Sequence, residues 1–259
     1  MESLLVYRRP VRRLAWMVFA SAALIATPSI AISPVAAAEP LAVIELFTSQ
    51  GCSSCPPADK LLDELARNPG LIALSLPVDY WDYLGWKDTL ALPGHTRRQR
   101  AYSRIRGDRQ VFTPQAVVNG AAYALGSNKA AIEEAITRTR AASAMSVPVK
   151  LAVAGERIAV DVGASADGAR GEVWLCPITR KVHVAIGRGE NHDRDVTYTN
   201  VVRGWLKLGD WSGKTASFAL PVTEVLARSK TADAVVVLVQ SGSAVEPGRI
   251  VGAASAALR

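Results

Sequence analysis

A pair of cysteines set between an apolar run and two prolines constrains the fold of this 259-residue chain more than any other feature. Leu41–Phe47 is a short apolar run, which favours a buried strand. Thr48–Gly51 has the composition of a turn, and the motif Cys52-Ser53-Ser54-Cys55 is followed by Pro56 and Pro57. Because proline is tolerated in the first turn of a helix, the pattern predicts a strand, a turn and a helix that begins around Ser53, with Cys52 at its N-terminal end.

Residues up to 145 alternate between strand-like and helix-like patterns. A helix joins the first two predicted strands, so we expect them to be parallel. A turn at Asn119-Gly120 joins the last two, which should form an antiparallel hairpin. The predicted strands are Leu41–Phe47, Leu71–Val78, Val111–Asn119 and Ala121–Leu125, and the predicted helices cover residues 53–67, 97–106 and 128–140.

Residues 146–259 have a different hydrophobic pattern, in which short alternating apolar runs are broken by glycine, aspartate and asparagine. Alternation is clearest in the segments 149–153 and 158–162, where every second side chain would face a core. Several short strands with regular turns favour a β-sandwich. The predicted strands are Val147–Val153, Arg157–Val162, Glu172–Cys176, Lys181–Ile186, Thr197–Arg203, Thr215–Leu220, Ala234–Val239 and Arg249–Ala253.

The first 38 residues have the features of an export signal. A basic segment at residues 8–13 precedes an apolar stretch at 14–26 that is too short to span a bilayer comfortably, and Ala36-Ala37-Ala38 fits the small-residue cleavage rule. We therefore expect a signal peptide over residues 1–38, cleavage after Ala38, and a periplasmic or secreted protein without stable membrane insertion. The alternative is an uncleaved anchor, although Pro28 and Pro34 would break its helix. In an exported protein, disulfides can form and persist.

The composition limits the classes of function. Part of the formal net charge of +7 comes from arginines within residues 1–38, and the other basic residues are scattered, apart from a group between residues 97 and 109. A solvated helix face explains that group, so we expect no nucleic-acid partner. Three cysteines are too few for a disulfide scaffold. The sequence has no phosphate-binding loop, dinucleotide fingerprint, nucleophile elbow or zinc-protease motif, and we predict no organic cofactor.

The spacing of Cys52 and Cys55 suits disulfide exchange. At a helix start the first sulfur faces unpaired N–H groups, which stabilise a thiolate and lower the pKa of the Cys52 thiol. Cys52 would attack a partner disulfide, and Cys55 would resolve the mixed disulfide. Two other uses stay open: a structural disulfide, and half of a copper or zinc site with His95 as a distant ligand. No closely spaced histidine pair completes such a site, so no metal ligand is assigned.

Three features resemble the thioredoxin superfamily: the first strand, the cysteine motif at a helix start, and Thr113-Pro114 at the opening of the third strand. The resemblance implies that Pro114 is a cis proline opposite the motif, where it and Thr113 support the site by helping to hold the partner's chain. It also implies an α/β thioredoxin-like domain over residues 39–145, which a mainly-β sandwich domain would follow over residues 146–259.

The chain more closely resembles DUF1223, a family of exported bacterial proteins with a thioredoxin-like half. The family name supplies no reaction, so the predicted function depends on the cysteine chemistry: an exported thiol–disulfide oxidoreductase that acts on protein or small-molecule thiols and disulfides. The alternative is a metal-handling or protein-interaction module with a structural disulfide. The matching stretches are Glu45–Asp59, Pro77–Trp86, Thr113–Gly120, Gly187–Asn191 and Thr197–Arg203.

Two groups of side chains in the first half are further candidates for the site. Glu45 is either a proton acceptor for Cys55 or a carboxylate at a strand edge. Trp81 and Asp82 belong to an aromatic stretch, Val78–Trp86. That stretch either lines a peptide groove beside the cysteines or caps the core.

The second half supplies the remaining candidates. Glu190 and Asn191 lie in a polar loop, Gly187–Arg194, and Arg203 is the last residue of the next predicted strand. These side chains either face the cysteine motif and contribute to partner binding or belong to a solvated hairpin loop. Cys176, in an apolar strand, is either a buried free thiol or a resolving cysteine.

Overall fold

The apolar run that begins at Ala42 forms a central strand in a computed structural model that describes residues 40–258. Every residue of this strand, β1 (Ala42–Thr48), is buried, because both faces of its sheet are covered. The other strands are β2 (Leu71–Pro77), β3 (Gln115–Val118), β4 (Ala122–Leu125), β5 (Val149–Ala154), β6 (Arg157–Val162), β7 (Gly171–Ile186), β8 (Arg194–Val202), β9 (Leu206–Trp211), β10 (Ala216–Pro221), β11 (Ala234–Gly242) and β12 (Pro247–Ala257). The helices are α1 (Pro56–Leu65), α2 (Pro93–Arg106), α3 (Lys129–Ala141) and α4 (Val222–Arg228), with a short 3-10 helix at Asp82–Leu84.

The strand pairing around β1 follows the sequence pattern. β1 is parallel to β2, to which a helix connects it, and antiparallel to β3. β3 and β4 form an antiparallel hairpin whose turn contains Asn119 and Gly120, both with positive φ. Asparagine and glycine adopt that conformation at low cost. The two predicted pairs, β1 with β2 and β3 with β4, are therefore confirmed.

The predicted fold class, an α/β thioredoxin-like domain followed by a β-sandwich domain, is wrong. β2 pairs in parallel with β8 through Ser75 and Val201, and this contact joins strands of both halves into one mixed sheet of nine strands. The strand order is β12-β11-β7-β8-β2-β1-β3-β4, and β9 pairs with β7. A second sheet has three strands in the order β10-β6-β5. The molecule is thus organised around one large mixed sheet that both halves build.

Strand periodicity alone does not predict the second half. β7 is unbroken over 16 residues, although Pro177 divides its sequence into the two predicted strands. Pro177 lies where the pairing of β7 passes from β8 to β9, and its carbonyl accepts a hydrogen bond from the N–H of Arg203 on that side. The missing N–H of proline therefore interrupts no ladder hydrogen bond. The strand β9 and the helix α4 have no counterpart in the prediction.

Apolar packing covers both faces of the large sheet. On one face, α2 packs on a core that both halves share, which includes Phe47, Val202 and Leu238. On the other face, α1 and α3 cover β1 to β4 around Ile44. The three-stranded sheet covers β7 and β11 on that same face, around Val237. Side chains of β1 alternate between these two cores, so neighbouring residues of β1 contact different helices.

The predicted signal peptide, residues 1–38, lies outside the described residues, and its cleavage after Ala38 stays a prediction. From residue 40 to residue 258, no helix has both the length and the apolar character needed to cross a membrane. These residues belong to one compact unit. The site can therefore draw on side chains from either half of the chain.

Candidate functional site

Cys52 and Cys55 form a disulfide at the carboxyl end of β1, where the chain turns into α1. The Cys55 N–H donates to the Cys52 carbonyl at 3.1 Å, so the motif is a tight turn ahead of the helix. The helix begins at Pro56, later than the predicted start at Ser53, and Cys55 caps it. Pro56 and the proline after it have no N–H for the carbonyls of Cys52 and Ser53, so helical hydrogen bonding cannot start earlier.

The late helix start reduces the number of N–H groups available to the Cys52 sulfur. The Ser53 N–H donates to the Glu190 carboxylate at 3.3 Å, and the Cys55 N–H is already bonded within the turn. The Ser54 hydroxyl lies 3.5 Å from the Cys52 sulfur and can donate to it. A thiolate at Cys52 would therefore depend on this hydroxyl and on nearby charges more than on the helix dipole.

The loop between β7 and β8 packs against the cysteine motif. Asn191 is 1% exposed, and its amide donates to the carbonyl of Gln50 at 2.9 Å and to that of Cys52 at 2.8 Å. Glu190, the residue before it, is exposed and accepts the hydrogen bond from Ser53. The structure thus places both residues at the motif, with Glu190 on the surface and Asn191 beneath it, where it fixes the backbone of the turn.

Both sulfurs are shielded in the disulfide form. Cys52 has 3% of its surface exposed and Cys55 has 0%, whereas Ser53 and Ser54 between them are exposed. The exposed surface of the motif in this form is therefore that of the two serines. For the reacting atoms to meet, side chains that cover the sulfur have to shift.

Trp81, Thr113 and Pro114 form a shelf beside the motif. Trp81 packs on Gly51, where an added Cβ would lie only 3.1 Å from the Cβ of Trp81. The indole N–H of Trp81 donates to the Thr113 hydroxyl at 2.8 Å. The Thr113–Pro114 peptide bond is cis, as the resemblance implied, and Pro114 lies against Gly126, which also approaches the first turn of α1. These three residues therefore lie together at the cysteine end of the sheet.

Asp82 and Arg203 make no hydrogen bond to the cysteines in the part of the chain that the structure describes. The Asp82 carboxylate accepts from the Asp88 N–H at 3.0 Å, and Asp88 in turn accepts from the Gln50 N–H at 2.8 Å. Asp82 thus supports the loop behind the motif. Arg203 follows β8, where burial lowers the pKa of its half-buried guanidinium.

Glu45 lies on the face of β1 that α2 covers, away from α1 and Cys55. It is fully buried, and its carboxylate accepts hydrogen bonds from the Arg98 guanidinium at 2.6 Å and from the Tyr102 hydroxyl at 2.7 Å. Neither sequence expectation describes this position. The carboxylate is part of a salt bridge in the interior, held between the sheet and α2.

A different carboxyl group, that of Asp59, lies in the first turn of α1 next to Cys55. The sequence analysis did not predict it as a site residue. It follows Cys55 by one helical turn, so the two side chains share a helix face. Asp59 is 3% exposed, and neither of its carboxylate oxygens has a hydrogen-bond partner of normal geometry among residues 40–258. Burial raises its pKa well above the usual range; the nearby Thr48 hydroxyl lowers it, and the charge of Asp88 raises it further. The spacing from Cys55 to Asp59 was the available signal in the sequence.

His95 and Cys176 are both buried. The His95 Nδ1 lies 2.9 Å from the Pro77 carbonyl oxygen, and burial lowers the pKa of the imidazole to about 4. Cys176 is a free thiol without exposed surface, and burial raises its pKa. Among residues 40–258, no group of three or more His, Cys, Asp or Glu side chains is arranged to hold a metal ion.

The cysteine motif, the Pro114 shelf and the Asn191 loop all lie within a stretch that matches a known family. That family, described as a protein of unknown function (DUF1223), matches residues 43–240. The chain belongs to the DUF1223 family. The match begins in β1 and ends in β11, so it includes strands from both halves of the large sheet.

The DUF1223 chain is similar over most of its length to a solved structure, that of protein AGR_C_4864 from Agrobacterium tumefaciens. The two are 34% identical with a TM-score of 0.76, over 85% of this chain and 96% of that one. HBP35 of Porphyromonas gingivalis, 14% identical with a TM-score of 0.54 over 85% of this chain and 76% of that one, is alike in fold alone.

A short segment of the chain is similar to a protein named "Probable Thioredoxin" from Archaeoglobus fulgidus. The two are 38% identical over 39 residues, which is 15% of this chain and 43% of that protein. The chain thus spans less than half the length of this curated relative. This likeness and the Cys52–Cys55 disulfide are compatible with a redox function.

Proposed function

We propose that this DUF1223 protein is an exported thiol–disulfide oxidoreductase in which Cys52 exchanges with partner thiols or disulfides and Cys55 resolves. The observation that carries the proposal is a juxtaposition: the Cys52–Cys55 disulfide lies beside the Pro114 shelf and one helical turn from the buried Asp59. Exchange needs a nucleophilic sulfur, a surface where the partner docks and a group that manages the proton of the buried sulfur. The disulfide can supply the sulfur, the partly exposed Trp81 and Thr113 of the shelf the docking surface, and Asp59 the group that manages the proton.

The reductive half of the exchange follows from this placement. A substrate thiolate attacks the Cys52 sulfur, the Cys52–Cys55 bond breaks, and the electron pair leaves on the Cys55 sulfur. A buried thiolate is unstable, so the Asp59 carboxylic acid, kept protonated by burial, donates its proton to Cys55. A second substrate thiolate then attacks the substrate sulfur of the mixed disulfide. The substrate leaves as a disulfide, and Cys52 leaves as a thiolate; the reverse steps reoxidise the pair.

The burial of both sulfurs favours a second candidate, a structural disulfide. A pair with 3% and 0% of its surface exposed is protected from reductants, and in an exported protein such a pair can stay oxidised. In that case the bond would join the end of β1 to α1 and would take no part in turnover. The two candidates differ in the reduction potential that they require.

Titration of the purified protein in glutathione redox buffers separates the two candidates. Alkylation of free thiols and mass measurement would give the fraction reduced, with Cys176→Ser as the background that removes the third thiol. For exchange we expect a reversible two-electron transition at a potential above about −300 mV. A pair that stays oxidised in buffers more reducing than this would contradict exchange and establish a structural disulfide.

Trapping tests the assigned order of the two cysteines. In a Cys55→Ser variant the mixed disulfide at Cys52 cannot be resolved, so partners should accumulate as covalent adducts that reductant releases. Cys52→Ser should trap none. Equal amounts of adduct with both variants would contradict Cys52 as the attacking sulfur.

The predicted export is tested separately. N-terminal sequencing of the exported protein would show whether cleavage occurs after Ala38.

A further inference from the structure

A cavity lined by arginines lies along the outer side of α2. Its volume is about 510 Å³, and its lining is Arg100, Ser103, Arg104, Arg109 and Val111. The cavity forms because the segment after α2 folds back along the helix, where the Arg109 N–H donates to the Ser103 carbonyl at 3.2 Å. The backbone thus brings Arg109 beside two arginines of the helix.

The three arginines of this cavity carry charge that no carboxylate neutralises within residues 40–258. Two other arginines of α2 are paired, Arg98 with Glu45 and Arg106 with Asp108. In contrast, Arg100, Arg104 and Arg109 are exposed and take part in no salt bridge among the described residues. Like charges held together repel, and an anion that enters the cavity relieves this repulsion. Guanidinium groups match carboxylates in geometry as well as in charge.

One residue of the cavity lining, Val111, lies close to the shelf beside the cysteines. Val111 of the cavity precedes Thr113 of the shelf by two residues, and two residues of extended chain span at most about 7 Å. Burial raises the pKa of Tyr80 to about 12, and the charge of the nearby Arg100 opposes that shift slightly. Tyr80 packs against the ring of Trp81. A substrate that extends from the cysteines along the shelf can therefore place an anionic group near this cavity.

We propose that the cavity lined by Arg100, Arg104 and Arg109 binds carboxylate groups of the substrate, so that the protein selects anionic thiols and disulfides. This inference rests on the proposed function, because it assigns the substrate class of the same site. Carboxylates reach such a cavity in two forms, as parts of a small thiol such as glutathione or as acidic side chains near a cysteine in a polypeptide.

Exchange rates with disulfides of different charge test the inference. The probes are glutathione disulfide, which is anionic, bis(2-hydroxyethyl) disulfide, which is neutral, and cystamine, which is cationic. For the wild-type protein we expect kcat/KM to fall in that order. Arg104→Gln combined with Arg109→Gln should lower kcat/KM for glutathione disulfide about tenfold and leave the value for the neutral disulfide unchanged. Arg97→Gln, an exposed arginine of α2 outside the cavity lining, is the matched control.

Two cysteine peptides, one with glutamates and one with lysines beside the cysteine, distinguish the sources of the carboxylate. A preference for the acidic peptide that exceeds the preference for glutathione disulfide assigns the cavity to polypeptide substrates, and the opposite result assigns it to small thiols. Equal rates with all substrates, or an equal loss with the Arg97→Gln control, would overturn the inference while exchange itself stands.

Binding of S-methylglutathione keeps the inference separate from the redox proposal, since this ligand has the carboxylates of glutathione but cannot exchange. Saturable binding that Arg104→Gln and Arg109→Gln weaken about tenfold supports the cavity even if no disulfide reacts, in which case the proposed function alone fails. Absence of binding together with charge-independent exchange overturns the inference alone.

Discussion

At the scale of single residues, Glu45 and Asp59 are two buried carboxyl groups with opposite surroundings. Glu45 is neutralised by Arg98 and bonded by Tyr102, so its charge is part of the native packing. Glu45→Gln leaves the Arg98 guanidinium buried without its counter-charge. We expect the free energy of unfolding in urea to fall by about 3–5 kcal/mol, while the redox equilibrium with glutathione stays unchanged. A shifted equilibrium would instead give Glu45 a part in proton transfer; Glu45→Gln with Arg98→Met should recover part of the stability.

Asp59→Asn should have the reverse pattern, a gain of stability with a loss of exchange. Because the folded-state pKa of Asp59 lies above the usual 3.8, only the unfolded chain ionises as the pH rises past that value, and the native state loses stability. The variant removes this loss, so its gain should be absent below the unfolded pKa and should grow with every pH step above it, up to pH 7 and beyond. Resolution by Cys55 should slow roughly a hundredfold. Unchanged rates at pH 7 would contradict proton transfer by Asp59.

At the scale of elements, the loop between β7 and β8 places a negative charge at the start of α1. The Glu190 carboxylate takes the Ser53 N–H, which would otherwise be free to face the Cys52 sulfur. Glu190→Gln should lower the pKa of the Cys52 thiol, stabilise the reduced pair, and shift the equilibrium with glutathione toward reduced protein about threefold. Thiol alkylation against pH and the redox titration measure both effects. Glu224→Gln, on α4, is the control, and an equal shift in both variants would rule out a local effect.

At the scale of the whole molecule, the sequence predicts features that depend on contacts between residues near in sequence. It misses features that depend on contacts between residues distant in sequence. The strand–turn–helix around Cys52 and the hairpin at Asn119-Gly120 depend on residues that are neighbours in sequence, so both can be predicted from the sequence. The two prolines after Cys55 also indicate the observed start of the helix, because neither has an N–H that could donate to the carbonyl of Cys52 or Ser53. The pairing of Ser75 with Val201 joins segments distant in sequence, and neither segment marks its partner. Burial of Asp59 likewise depends on packing that a single sequence does not contain.

The shared sheet predicts that residues 39–145 do not fold alone. Removal of residues 146–259 would expose the edge of β2 that pairs with β8, and it would strip Val202, Leu238 and Ile250 from the core beneath α2. An apolar surface of that kind favours aggregation over a stable monomer. We expect the fragment to lack a cooperative unfolding transition and dispersed amide resonances, whereas residues 39–259 show both. A fragment that unfolds cooperatively and undergoes the same redox transition would instead restore residue 145 as a domain boundary, with β8 as a dispensable neighbour of β2.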